Sequence, residues 1–157
     1  MKKNNYKLIL NSLIVISILS MIISIYLIYL HYADTSSFCD ISPSLSCDIV
    51  NKSRYSEFPP GNGIPVSIFG FLTFSALLVL FMFIKEGFSY KINKTKIDKK
   101  FLVKIIIWIL WVSVLFSAYL VYAELFLILS ICILCVVLDI LIIIMLILTY
   151  KLKKVVK

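Results

Sequence analysis

Residues 8–30 form an almost unbroken apolar run, interrupted only by Asn11 and scattered Ser and Tyr. At about 1.5 Å of rise per helical residue, such a run crosses a hydrocarbon layer of about 30 Å. Backbone in lipid must satisfy its own N–H and C=O groups, and a helix is the local way to do so. A second run, residues 65–84, follows Gly63-Ile64-Pro65. There a turn leads to a proline at the expected first helical position, where its missing N–H costs nothing. The third run, 101–150, is too long for one span and carries Glu124 near its middle. It is expected to divide into 102–123 and 129–150 with a tight turn between. The expected fold is therefore an all-α membrane protein: a four-transmembrane-helix bundle forming one membrane domain over residues 1–157.

Composition narrows the function classes. The chain is 62% hydrophobic and 15% charged, against about 45–50% and about 25% for soluble domains. An ordinary globular protein, a disordered chain and a nucleic-acid binder are all excluded on that ground. The net charge of +8 does not call for an acidic partner, because its distribution follows the apolar runs. Lys2, Lys3 and Lys7 precede the first span. Lys85, Lys91, Lys94, Lys96, Lys99, Lys100 and Lys104 lie between the second and third, and Lys151, Lys153, Lys154 and Lys157 follow the fourth. Only Lys52 and Arg54 of the 16 Lys and Arg lie elsewhere, in the 31–64 loop beside Asp34, Asp40, Asp48 and Glu57.

The positive-inside rule then expects both termini and the 85–101 loop in the cytoplasm, with the 31–64 loop and the turn at Glu124 facing outward. The plasma (inner) membrane is the expected location. Tyr26, Tyr29, Tyr32, Tyr119 and Tyr122 fall at the expected outer boundary, and Trp108, Trp111 and Tyr150 toward the inner one. Such belts form where an apolar ring meets water at its polar tip. The first run is too long for the apolar core of a signal peptide, about 7–15 residues, and no small-residue cleavage site follows it. It is expected to remain as a span.

Cysteines supply the chemistry. Cys132-Ile133-Leu134-Cys135 is expected one turn into the fourth span at its outward end, with both sulfurs on nearly one helix face. The positive end of the helix dipole favours thiolate there, which makes the pair reactive; two small buried core residues are the plainer reading. Cys39 and Cys47 lie in the outward loop, where an oxidising compartment permits a structural disulfide. With all four on one side of the membrane, a thiol–disulfide relay between the two pairs is geometrically open. A four-thiolate zinc site is disfavoured by the spacing of the first pair, and no metal is expected.

Taken in order, Cys39-x7-Cys47, Cys47-x5-Ser53, Gly63-Ile64-Pro65-Val66-Ser67-Ile68-Phe69-Gly70, Tyr119-Leu120 and Cys132-x-x-Cys135 resemble the vitamin K epoxide reductase family, in its prokaryotic type. The resemblance spans about residues 8–150. It implies a four-helix bundle that oxidises a thioredoxin-fold partner through the loop cysteines, Cys39 and Cys47. Two electrons then pass through Cys132 and Cys135 to a quinone, of ubiquinone or menaquinone type, held between the helices. The family's animal members carry asparagine at the position of Val66 and tyrosine at that of Asp139. Both can bond the vitamin K head group, so their absence favours plain quinone reduction. Many bacterial homologs also carry a fused thioredoxin-like domain; none follows Lys157 here, so a separate partner outside the cytoplasm is expected.

Other residues complete the candidate site. Ser46 is expected to cap a short half-helix over 47–55, with Ile49, Val50 and Phe58 resting on the bilayer or bundle and Asp48, Asn51 and Lys52 facing water. By the resemblance this segment lies across the bundle as a lid, and Ser53 bonds near the redox centre. Asp139 shares a helix face with the C-x-x-C about one turn deeper, where a charge costs roughly 2.5–3.5 kcal/mol on insertion scales. It could move the proton that quinone reduction requires, or hold a neighbouring helix through a hydrogen bond. Phe69, Leu120, Leu134 and Leu138, with Val66 and Asp139, are the candidate quinone contacts. Glu124 is expected to be a solvated turn residue, and His31 an interfacial one without chemistry. The rival to an enzyme is a four-span adaptor with a structural loop disulfide and an inert C-x-x-C.

Overall fold

The computed structural model describes residues 2–33, 36–61, 63–86, 91–92, 95–96 and 99–155. Asp34, Lys94 and Lys157, used in the charge argument, lie outside the described residues. Four long helices carry the apolar runs: α1 (Lys2–Tyr32), α3 (Val66–Glu86), α4 (Lys99–Tyr122) and α5 (Ile133–Val155). Each is long and apolar enough to cross a membrane. Their outer faces present Val15, Ile22, Trp108, Leu115, Ile140 and Ile147 without cover. Apolar side chains all round a helix suit a lipid surround.

α1 packs against both α3 and α5, and α4 closes the bundle against α5 and α3. The serines of α1 explain how closely it can approach. Ser17, Ser20 and Ser24 are fully buried, and Ser17 and Ser24 return their hydroxyls to the carbonyls of Leu13 and Ser20 at 2.8 and 2.9 Å. Gly70 of α3 stands opposite Ser24, where an added Cβ would lie 3.5 Å from the hydroxyl. Small residues at such seams let helix backbones meet in lipid. Toward the lysine-bearing ends the interior is dominated by apolar side chains, with Leu13, Leu77, Phe81, Ile84, Ile106, Leu110 and Met145 sealed from solvent, and the buried Thr149 hydroxyl donates to the Met145 carbonyl of its own helix at 2.7 Å.

At the other end lies the 31–64 loop. Ser46 accepts the Ile49 N–H at 3.1 Å and starts α2 (Cys47–Asn51), as its cap position requires. The helix stops at Asn51 instead of reaching residue 55. Ser53 donates its hydroxyl to the Val50 carbonyl at 2.8 Å, and the chain tightens into a 3-10 turn over Arg54–Ser56. β1 (Glu57–Phe58) then pairs antiparallel with β2 (Ile64–Pro65). Pro65 thus ends a strand and α3 begins one residue later than expected, at Val66. Gly63 is required at the turn, because a Cβ there would overlap the Phe58 and Pro59 backbone. At the opposite end β3 (Lys91–Ile92) pairs with β4 (Thr95–Lys96) within the lysine-rich loop.

The join between the last two spans is not a tight turn. α4 continues as a π-helix over Ala123–Ile128 and stops at Leu129, which takes the left-handed conformation at φ 57°. Residues 130–132 belong to neither helix, and Ile131 forms a parallel bridge with Leu45 while donating its N–H to the Ser44 carbonyl at 3.0 Å. Ile131 is thus committed to the loop, and the N–H groups of Ser130 and Cys132 to the Glu124 carbonyl and carboxylate, so the fourth helix starts at Ile133 instead of residue 129.

Candidate functional site

The loop and the C-x-x-C meet where that bridge holds them. Cys39 and Cys47 form a disulfide with Cα atoms 5.7 Å apart. Both are buried, and they share one packed cluster with Leu27, Leu30, Val50 and Cys132. Cys132 and Cys135 are free thiols. Cys132 does not sit a turn inside the helix as expected but immediately before α5, for the reason just given. Its sulfur accepts the Cys135 N–H at 3.2 Å, the bond a capping side chain makes. The positive end of the α5 dipole therefore points at this thiol.

Beside the thiols the helices part around a cavity of about 160 Å³. Val66, Phe69, Leu120, Leu138 and Asp139 line it, as does Cys135. Leu134 does not. It packs on the Cys39–Cys47–Cys132 cluster, because one residue along a helix turns the side chain by about 100° to another face. Cys132 is likewise absent from the cavity wall, whereas Cys135 both lines the cavity and packs against the cluster that holds Cys132 and the loop disulfide. Ser53 lines the cavity, with its hydroxyl committed to its own helix. Asp139 is half-buried and accepts a hydrogen bond from Ser117 of α4, tying two helices together at the cavity wall.

Three sequence expectations are corrected here. Glu124 is not solvated: it is 5% exposed, lines the cavity and accepts the Cys132 N–H at 3.3 Å. The π-helix carries it inward, whereas a tight turn would have left it in water. Asn51 does not face water either. Its amide donates to the Leu27 carbonyl at 2.7 Å, so α2 lies tied across the bundle over α1. His31 is more than interfacial: its Nδ1 lies 2.7 Å from the Asn51 carbonyl, and Nε2 3.6 Å from Glu57. As for the other α2 expectations, Val50 is buried, Ile49 and Phe58 are exposed, Lys52 reaches the Ala33 carbonyl and Asp48 accepts the Ser37 N–H at 2.9 Å.

Sequence reasoning also missed Ser67, whose hydroxyl is buried on the cavity wall with no partner among the described residues. An unpartnered buried donor among apolar walls suits an apolar ring bearing carbonyl acceptors. A quinone has that chemistry.

Four membrane-length helices around a thiol-lined cavity define a multi-pass membrane protein of the thiol-redox class. Residues 11–150 match the model of the Vitamin K epoxide reductase family, and the chain belongs to that family. Membership makes it an oxidoreductase. No curated protein matches the chain.

Proposed function

We propose that the protein makes disulfides in a thioredoxin-fold partner outside the cytoplasm and passes the electrons through Cys132 and Cys135 to a membrane quinone of ubiquinone or menaquinone type. One observation carries this reading: the loop disulfide, Cys132 and Cys135 form a continuous path from the loop to the cavity. In it the partner's thiolate attacks the Cys39–Cys47 disulfide through a mixed disulfide, and the reduced loop pair then attacks the Cys132–Cys135 disulfide. Such exchange depends on thiolate fraction and access. The bound quinone supplies a two-electron, two-proton acceptor. Val66, Phe69, Leu120 and Leu138 keep water from the thiols, while the Ser67 hydroxyl and the Ser117–Asp139 pair offer polar contacts in an otherwise apolar wall.

The lysine-bearing ends are placed in the cytoplasm and the redox loop outside the plasma (inner) membrane. With purified protein, quinone and a reduced thioredoxin-fold dithiol, quinol should form in step with disulfide. Mixed disulfides should accumulate when Cys→Ser variants block the next exchange. Absence of quinol with a range of reduced partners would sink the reading. In intact reduced cells, an impermeant thiol reagent should reach the loop cysteines, and labelling only after the cytoplasmic face is opened would invert the orientation.

A further inference from the structure

The relay just proposed needs a proton whenever Cys135 leaves the C-x-x-C disulfide, and the geometry points to Glu124 as its donor and acceptor. The carboxylate is 5% exposed and stands on the cavity wall with Cys135. One oxygen accepts the Cys132 N–H at 3.3 Å, and Cys135 lines the same cavity. A buried carboxylate bonded to one half of a redox motif and sharing a cavity wall with the other is placed for more than holding a helix end.

The step rests on the relay and balances as follows. A loop thiol, having lost its proton to water, attacks the Cys132 sulfur of the Cys132–Cys135 disulfide. The bond to Cys132 forms, the Cys132–Cys135 bond breaks, and Cys135 leaves with the electron pair. The Glu124 carboxyl gives its proton to this thiolate, leaving a carboxylate beside a neutral thiol. The second loop thiol, its proton also lost to water, then attacks the first loop sulfur, re-forming Cys39–Cys47 and releasing Cys132 as a thiolate. When Cys132 and Cys135 close their disulfide, two electrons pass to the quinone, which takes two protons from water, and the Cys135 proton returns to the Glu124 carboxylate. Other titratable groups facing Glu124 are Cys132, Cys135 and Asp139, all from α5 and its start, with Tyr55 on the same cavity from the loop. The cavity-lining residues of α1 and α3 do not titrate in the working range: Ser24, Leu27, Val66, Ser67, Phe69, Gly70, Thr73 and Phe74.

Glu124→Gln separates this role from a structural one, because the amide oxygen can still accept the Cys132 N–H but cannot carry the proton. In single-turnover transfer from the reduced loop pair to the Cys132–Cys135 disulfide, without quinone, Glu124→Gln should be slower by about a hundredfold. Its solvent isotope effect should also be lost. Infrared difference spectra of the wild type should show a carboxyl band with the disulfide form that vanishes with the dithiol form. The band should survive in Asp139→Asn and shift in Glu124→Asp, which keeps the test alive if Glu124→Gln fails to fold. Equal rates and isotope effects in wild type and Glu124→Gln would leave the relay standing and reduce Glu124 to a hook for α5. No transfer in the wild type would overturn the relay and this role together.

Discussion

The two ends of the bundle are built from the same four helices to opposite specifications. Toward the lysine-bearing ends, Leu13, Leu77, Phe81, Ile106, Leu110 and Met145 fill the interior with apolar atoms, and the buried hydroxyls of Ser17 and Thr149 are satisfied within their own helices by the Leu13 and Met145 carbonyls. Toward the loop, the interior holds the four cysteines, Asn51, Glu124, Asp139 and a set of serines around a cavity. In lipid each buried polar group must find a partner or cost free energy. Most do: Asn51 bonds Leu27, Glu124 bonds Cys132 and Asp139 bonds Ser117. Stability and chemistry are thus segregated along the helix axes, and perturbing one end should leave the other largely intact.

The largest effect should come from the redox end. Cys135→Ser, and equally Cys132→Ser, should abolish quinone-coupled turnover while leaving helix content and thermal unfolding in detergent as in the wild type. Turnover retained in either variant would break the division at once. At the closed end, Phe81→Ala should cost about 3–5 kcal/mol of unfolding free energy, because Phe81 is fully buried among apolar neighbours. Per folded molecule, turnover should not change, and a specific loss of turnover would show the two ends to be coupled.

Asp139→Asn sharpens the comparison within the cavity. It should slow quinone reduction by about tenfold or more and alter its pH profile, as loss of a proton-moving group does. A single turnover of partner oxidation by already oxidised protein should remain near normal. Normal quinone reduction across pH, together with loss of protein from the membrane in Asp139→Leu, would make the Ser117–Asp139 bond a packing device only. The smallest effect is expected at the Trp111–Tyr150 pair, whose 3.0 Å hydrogen bond lies on an exposed face. Tyr150→Phe should change unfolding free energy by less than about 0.5 kcal/mol.

The spans were legible because lipid demands a long apolar run and the chain supplies four. The cap at Ser46, the pairing of cysteines by position and the placement of Val66, Phe69, Leu120, Leu138 and Asp139 beside Cys135 were legible too, through local pattern and family resemblance. What stayed hidden depends on contacts between distant segments. Nothing local reveals that Ile131 pairs with Leu45, yet that bridge delays α5, moves Cys132 to its cap and helps close the site. Glu124 had a signal that went unused: a carboxylate in an apolar run is a functional candidate by default, and reading it as a turn residue set that aside. Leu134 differs from expectation because the resemblance marks the segment beside the cavity but not which face of α5 each of its residues presents.

The bond from Ile131 to Ser44 has a kinetic meaning as well. It lies one residue before Cys132 and three before Cys47, so it tethers both redox pairs near their reacting ends. A loop held in this way is not a reagent that must diffuse back after each exchange. Its thiols act at a high effective concentration, and the entropy of bringing sulfur to sulfur is settled in folding instead of in each turnover. The leash carries no side-chain chemistry at all: two backbone groups, one donor and one acceptor, shorten the reach of the proposed exchange, which the single chain already makes intramolecular.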